Sequence, residues 1–185
     1  MKEPPRRAPR TWLPFRAVNR AGSPSHDPGL QRHHLLPRQV RGKGAFSRLF
    51  AALDPRRLGF DDFRRNGILL PARDEAARRL GLPLHRGPHR AYNEMVMERV
   101  GQIEARWTTE LPRGPDSAGE EALFRLTLLQ GALRRRLIDP PREPLRLNRK
   151  DPVGTGFDFT ELDAMVEELW GGTHSALAAS SSFAA

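Results

Sequence analysis

Four of the six histidines in this 185-residue chain lie in two short sequences, and these side chains are the first candidates for chemistry. His85 and His89 stand four residues apart in LHRGPHRAYN, whereas His33 and His34 are adjacent in LQRHHLLPRQ. Near pH 7 a neutral imidazole serves as a metal ligand or as a general base, and hydrolysis of a phosphodiester uses both. One metal ion held by about three histidines keeps open positions for phosphate and water. The two sequences together predict one metal-dependent nuclease site.

Taken alone, the pair His85 and His89 is a weak indication of a metal site. Gly87-Pro88 lies between the two histidines, which favours a lead-in loop for His85 and the first turn of a helix for His89. The alternative is that His85 is a solvated loop residue and that His89 caps or packs locally.

The adjacent pair His33 and His34 is also weak alone, because neighbouring residues of a strand point to opposite faces. Pro37, just beyond the pair, favours a strand that ends here. One imidazole would then face a metal ion and the other the attacking water. The alternative is an exposed histidine pair in a turn.

Length and composition predict one domain with irregular arms. The chain is 38% hydrophobic and contains 16 glycines and 17 prolines. It has no cysteine, which excludes disulfides and cysteine-ligated zinc. No apolar run is long enough to span a bilayer, and the N-terminus has no apolar core typical of a signal peptide. We therefore expect a cytoplasmic protein or one delivered by a non-classical secretion route.

Charge is distributed unevenly along the chain. Residues 151–185 contain six acids and no Lys or Arg, so the first 150 residues carry all 31 basic residues, 16 of the 22 acids and a net charge of +15. A basic body favours a polyanionic partner such as nucleic acid. The alternative is a general preference for arginine on surfaces, which the three lysines among 31 basic residues also fit.

Apolar spacing and turn residues predict a mostly helical α+β fold. The pattern indicates short strands at about Leu30–Leu36 and Ile68–Leu70 and helices over Gly44–Leu53, Ala72–Leu80, Pro88–Trp107, Ser117–Ile138 and Thr160–Trp170. Asn66-Gly67 predicts a tight turn, Gly81 a helix C-cap, and Ser117 with Glu120 a capping box. We divide the chain into a basic, Pro-rich arm (1–29), a nuclease core (30–109) and a helical extension with an acidic last helix (110–185).

The strings HHLLP, NGILLP and LHRGPHRAYNEMV, in this order, resemble the AHH nuclease family, a branch of the HNH or His-Me finger superfamily. The resemblance covers about Leu30 to Val100, just over a third of the chain. It implies a ββα-metal finger core, with additional packed helices, that clasps one divalent cation: Mg²⁺, Mn²⁺, Ni²⁺ or Zn²⁺. Family members are often toxin modules of bacterial effectors, each neutralised by an immunity protein.

The resemblance also implies roles for individual residues. His34 resembles the general base, and the alternative is that the roles of His33 and His34 are exchanged. Asn66 resembles the residue that pins the loop and orients the base. The metal ligands that the resemblance implies are His33, His85 and His89.

Further polar residues near these strings are candidates for binding or support. Arg32 stands where the family has the alanine that begins its name, and it is a candidate phosphate contact. Arg86 and Arg90 flank the ligands as possible phosphate clamps. Asn93, one turn past His89, is a candidate to hold a ligand in place.

Two classes of function fit these residues. The first is a metal-dependent endonuclease acting on DNA in preference to RNA, as a bacterial toxin with a possible acidic immunity partner. The second is a noncatalytic nucleic-acid-binding or scaffold protein whose histidine cluster is vestigial or structural. Cutting of plasmid DNA in the presence of a metal ion distinguishes them.

Overall fold

The computed structural model describes residues 12–42, 44–87 and 89–139, together with Leu147. In these ranges the elements are a 3-10 turn (Phe15–Ala17), β1 (Leu30–His34), α1 (Arg38–Gly42), a second 3-10 turn (Gly44–Phe46), α2 (Ser47–Ala52), α3 (Pro55–Leu58), α4 (Phe63–Asn66), β2 (Gly67–Pro71), α5 (Asp74–Leu80), α6 (Arg90–Glu110) and α7 (Pro115–Ile138). The predicted class, α+β and mostly helical, is confirmed. The predicted helix Thr160–Trp170 lies outside the described residues.

The two strands pair antiparallel, with His33 opposite Ile68 and His34 opposite Gly67. β2 is apolar and buried at four of its five positions, which places it in the interior. In β1 the residues before His33 are exposed or half-buried, and His33 itself is buried. The strand ends at His34, two residues earlier than the sequence predicts, because Leu35 and Leu36 leave the ladder and enter the core.

Asn66-Gly67 does not form the predicted tight turn. Asn66 ends the single-turn helix α4, and Gly67 begins β2 with an extended backbone (φ −120°, ψ 152°). Glycine is required here by close packing, because a Cβ at Gly67 would lie 2.2 Å from the ring of Phe63. Asp62 caps α4 by accepting a hydrogen bond from the backbone N–H of Arg64 at 3.0 Å.

The long helices α6 and α7 pack against each other and supply most of the core behind the strands. The predicted apolar stripes are buried, with Tyr92, Met95, Val96, Val100 and Ile103 on α6 and Ala122, Leu126, Leu129, Leu133 and Leu137 on α7. The sheet and both stripes share one hydrophobic cluster. None of the helices described is long and apolar enough to cross a membrane.

The helix starts differ from the predictions by two or three residues, and two of these differences change the role of a predicted residue. His89 is the N-cap residue of α6 rather than part of its first turn. α7 begins at Pro115, and Ser117 donates a 3.0 Å hydrogen bond to the carbonyl of Gly114 instead of capping the helix. The predicted capping box is therefore wrong, and proline at the first helical position starts this helix. Gly81 has the left-handed conformation (φ 63°) predicted for the C-cap of α5.

Candidate active site

Three histidines from three parts of the chain converge beside the strand pair. One nitrogen from each of His33, His85 and His89 lies within 4.8 Å of the other two. The centre of the His33 ring is 4.8 Å from that of His85 and 5.6 Å from that of His89. The rings of His85 and His89 are 4.3 Å apart. The structure thus brings together the three residues that the resemblance implies as metal ligands.

Each of the three is held by a different element. β1 directs His33 inward, and the start of α6 presents His89. His85 lies in the segment between α5 and α6, where its backbone N–H donates a 2.6 Å hydrogen bond to the carbonyl of Pro71 at the end of β2. The strand pair and α6 therefore fix the positions from which the three imidazoles meet.

Two oxygen atoms orient the rings of His85 and His89. Nδ1 of His85 lies 3.2 Å from the side-chain oxygen of Gln31, and Nδ1 of His89 lies 3.3 Å from the carbonyl oxygen of Leu147. An amide oxygen only accepts hydrogen bonds, so each contact is a hydrogen bond in the tautomer whose Nδ1 carries the hydrogen. The lone pair of Nε2 is then free to bind a metal ion, as in metal sites whose histidines donate their other N–H to an oxygen.

His33 shows that this cluster suits a cation. The side chain is 4% exposed, and its buried Nε2 has no hydrogen-bond partner in the described part of the chain. An unsatisfied buried polar atom costs about 1–3 kcal/mol, so a bound metal ion would remove a penalty. Nitrogen ligands around a tetrahedral ion, with bonds of about 2.1 Å, are about 3.4 Å apart. Small side-chain movements from the present spacing would close such a site.

The protonation state of the three rings also suits metal binding. Burial lowers the pKa of His33 well below its usual 6.5, and the neighbouring His85 and His89 lower it further. Burial, followed by repulsion from His89, lowers the pKa of His85 to about 4. Burial lowers the pKa of His89 too, although the contact with the Leu147 carbonyl opposes the shift. All three rings are therefore neutral at pH 7, the form that ligates a metal ion.

His34 lies on the other face of β1 and is not part of the three-histidine cluster. Its ring stacks on Phe15 with centres 3.8 Å apart and planes 5° from parallel, and Phe63 meets Phe15 edge-on at 5.2 Å. Burial and the positive charge of Arg38 lower the pKa of His34 to about 4. A half-buried neutral imidazole in a fixed orientation can accept a proton from water.

Asn66 is a buried residue whose hydrogen bonds hold the segment that follows the pair His33 and His34. Its side-chain oxygen accepts a hydrogen bond from the backbone N–H of Leu36 at 2.7 Å, and its amide nitrogen donates to the carbonyls of Leu36 at 3.1 Å and Phe60 at 2.9 Å. Its backbone carbonyl accepts from the N–H of Leu35. These bonds fix the chain directly after His34.

Three of the four other candidate residues have partners of their own. Arg32 donates a 2.9 Å hydrogen bond to the carbonyl of Phe15, and Arg86 forms a 3.3 Å ion pair with Asp74. Arg90 is exposed at the first position of α6. The side-chain amide of Asn93 lies 3.4 Å from Gln39, not against a ligand histidine.

Sequence reasoning missed three residues that contact the site: Phe15, Gln31 and Leu147. Strand alternation could have found Gln31, because it lies two residues before His33 and so faces the same side. Phe15 lies 19 residues from its partner His34 in the sequence, and Leu147 lies 58 residues from its partner His89. No local sequence pattern marks either Phe15 or Leu147.

Three histidines that converge beside an antiparallel strand pair and the start of α6 make this cluster the candidate active site. A family model described as AHH, a nuclease family of the HNH/ENDO VII superfamily with conserved AHH, matches residues 14–123, more than half of the chain. The chain belongs to this family. Comparison with curated proteins found no match, and comparison with solved structures found none either.

Proposed function

We propose that this chain is a single-metal endonuclease that hydrolyses phosphodiester bonds of DNA in preference to RNA. His33, His85 and His89 hold one divalent cation, His34 is the general base and Asn66 positions it. The convergence of three neutral imidazoles around the unpartnered Nε2 of His33 carries this proposal. Membership of a nuclease family supports the nucleic-acid substrate.

In this proposal the chemistry divides between two adjacent residues at the end of β1, with His33 facing the metal ion and His34 facing the attacking water. When bound, a divalent cation supplies positive charge for the phosphate and the leaving oxygen. His34 takes a proton from a water molecule while the water oxygen forms a bond to phosphorus. The bond from phosphorus to the leaving sugar oxygen breaks, and that oxygen takes a proton from solvent. Asn66 and Phe15 hold the imidazole of His34 in place during the transfer.

Plasmid nicking with Mg²⁺, Mn²⁺, Ni²⁺ or Zn²⁺ tests the activity, with an RNA of similar length in parallel. His34→Ala should abolish cutting and keep metal binding, since a base ligates nothing. His89→Ala should lose both, whereas His174→Ala, from outside both histidine motifs, is the matched control and should lose neither. Metal and DNA binding without cutting in all four metals would favour the noncatalytic alternative. Loss of cutting in His33→Ala with full metal binding would mean that the roles of His33 and His34 are exchanged.

We also propose that the nuclease acts as a bacterial toxin with an acidic immunity partner. The net charge of +15 on the first 150 residues, with all 31 basic residues and 16 of the 22 acids, supports an acidic partner by charge complementarity. Induced expression in bacteria should stop growth, and His34→Ala should restore it. Equal growth arrest by the two proteins would contradict a toxic role for the nuclease site.

A further inference from the structure

A basic cleft lies beside the histidine site, between the N-terminal 3-10 turn and β1. Its volume is about 380 Å³, and its polar lining comes from Arg16, Asn19, Arg20, His26, Gln31 and Arg32. No acid lines it. Three arginines around one concave surface favour an anion, and the guanidinium group is suited to phosphate.

The wall of the cleft is held in shape by Asn19. Its amide nitrogen donates hydrogen bonds to the carbonyls of Asp27 at 2.9 Å and Leu30 at 2.8 Å, and its side-chain oxygen accepts from the N–H of Asp27 at 2.8 Å. The backbone of Asn19 is left-handed (φ 47°), which asparagine tolerates better than most residues. These bonds tie the segment carrying Arg20 and His26 to the start of β1.

The nearest acid of this segment is turned away from the cleft. The carboxylate of Asp27 accepts hydrogen bonds from the N–H of Gly29 at 2.7 Å and from the guanidinium group of Arg79 at 3.0 Å. Arg79, which belongs to α5, therefore balances the negative charge of Asp27. Within the described ranges, neither Arg16 nor Arg20 pairs with a carboxylate. Both guanidinium groups are therefore available to a ligand, while Arg32 is aimed by its bond to the carbonyl of Phe15.

Strand geometry connects the cleft to the active site. Arg32 and His34 are two residues apart in β1, so their side chains share a face at a spacing of about 6.6 Å. Gln31 lines the cleft and also contacts His85, one of the three clustered histidines. A nucleic-acid strand lying along β1 can thus place one phosphate near His34 and a neighbouring phosphate in the cleft.

We propose that this cleft binds a phosphodiester of the substrate strand next to the one that is cut, through Arg16, Arg20 and Arg32. The proposal rests on the proposed nuclease function for the position of the cut. The cleft fixes which phosphate meets His34, because a strand held at Arg32 cannot slide along β1.

Binding of a labelled single-stranded DNA 12-mer to the full chain in EDTA, at several salt concentrations, tests this. Arg16→Gln/Arg20→Gln should weaken DNA binding on the order of tenfold at 50 mM salt, because the variant loses charged hydrogen bonds that together contribute about 1.4 kcal/mol to binding. The slope of log affinity against log salt should fall by about 1.4, since each contact to single-stranded DNA contributes about 0.7. The matched control is Arg48→Gln/Arg135→Gln, which removes the same charge from α2 and α7 outside the cleft and should change affinity less than about twofold.

Equal weakening by the two double variants would overturn the proposal in favour of general attraction to a basic protein. An unchanged affinity for Arg16→Gln/Arg20→Gln would also overturn it. Both arginines are exposed, so their replacement should leave thermal unfolding nearly unchanged. Because EDTA removes the metal ion and cutting is not measured, failure here is distinguishable from failure of the nuclease proposal.

Discussion

Replacing Asn66 with alanine should lower the free energy of unfolding by about 4 kcal/mol. The side chain is fully buried and satisfies three backbone groups: the N–H and carbonyl of Leu36 and the carbonyl of Phe60. The side-chain amide of Gln130 adds a longer contact of 3.3 Å. An unsatisfied buried group costs about 1–3 kcal/mol, so three of them cost about 3–6 kcal/mol after partial relaxation. That is a large share of the roughly 5–15 kcal/mol that stabilises a typical domain.

Urea unfolding measures this loss, and the midpoint should fall by more than about 1 M. Asn93→Ala is the matched control, because its side-chain contact of 3.4 Å with Gln39 is exposed and should be worth less than about 0.5 kcal/mol. Asn66→Asp distinguishes the contribution of the amide oxygen from that of the amide nitrogen, since aspartate keeps the acceptor for the N–H of Leu36 and loses both donors. A decrease of less than about 1 kcal/mol in the free energy of unfolding of Asn66→Ala would refute the role of Asn66 in holding the chain after His34.

Two other predictions follow from the two faces of β1. Phe15→Ala should reduce the nicking rate by about tenfold without changing metal affinity, because the ring fixes the orientation of the proposed base His34. Phe15→Tyr should keep most of the nicking rate. Cutting at the wild-type rate by Phe15→Ala would contradict this role. The free energy of unfolding of the metal-free protein should be highest above pH 6.5 and fall as the pH drops toward 4, because burial lowers the pKa of His34 and His85 to about 4 and the unfolded chain takes up protons first. Urea unfolding at pH 7, 6, 5 and 4.5 checks the sign, and a constant free energy over this range would contradict it.

The sequence predicts well the parts of the site that depend on the spacing of residues close together in the chain. Apolar periodicity identifies the buried stripes of α6 and α7, and the resemblance selects the three histidines that the structure brings together. Asn66 is selected too, but its local structure is not. Asn-Gly is typical of a hairpin turn, whereas here the packing of Phe63 over Gly67 requires glycine in an extended strand. Tertiary contact overrides local preference at this point.

The parts that could not be predicted depend on contacts between distant segments. Phe15 lies in a Pro- and Arg-rich arm whose composition predicts little regular structure, yet its ring lies flat on His34. The capping box at Ser117 fails because Pro115 starts α7 two residues earlier. Composition and spacing report on the neighbours of a residue along the chain, and they carry no information about which distant ring or carbonyl will meet it.

The contact between His89 and the carbonyl of Leu147 has a consequence for how the protein is made. Fifty-eight residues separate the two partners, and 64 separate Asn66 from Gln130. Contacts of such long sequence separation form late in folding, because the intervening chain must first lose its freedom. All four histidines of the site therefore leave the ribosome well before Leu147, and a growing chain lacks the contact that orients the ring of His89 until Leu147 has been synthesised.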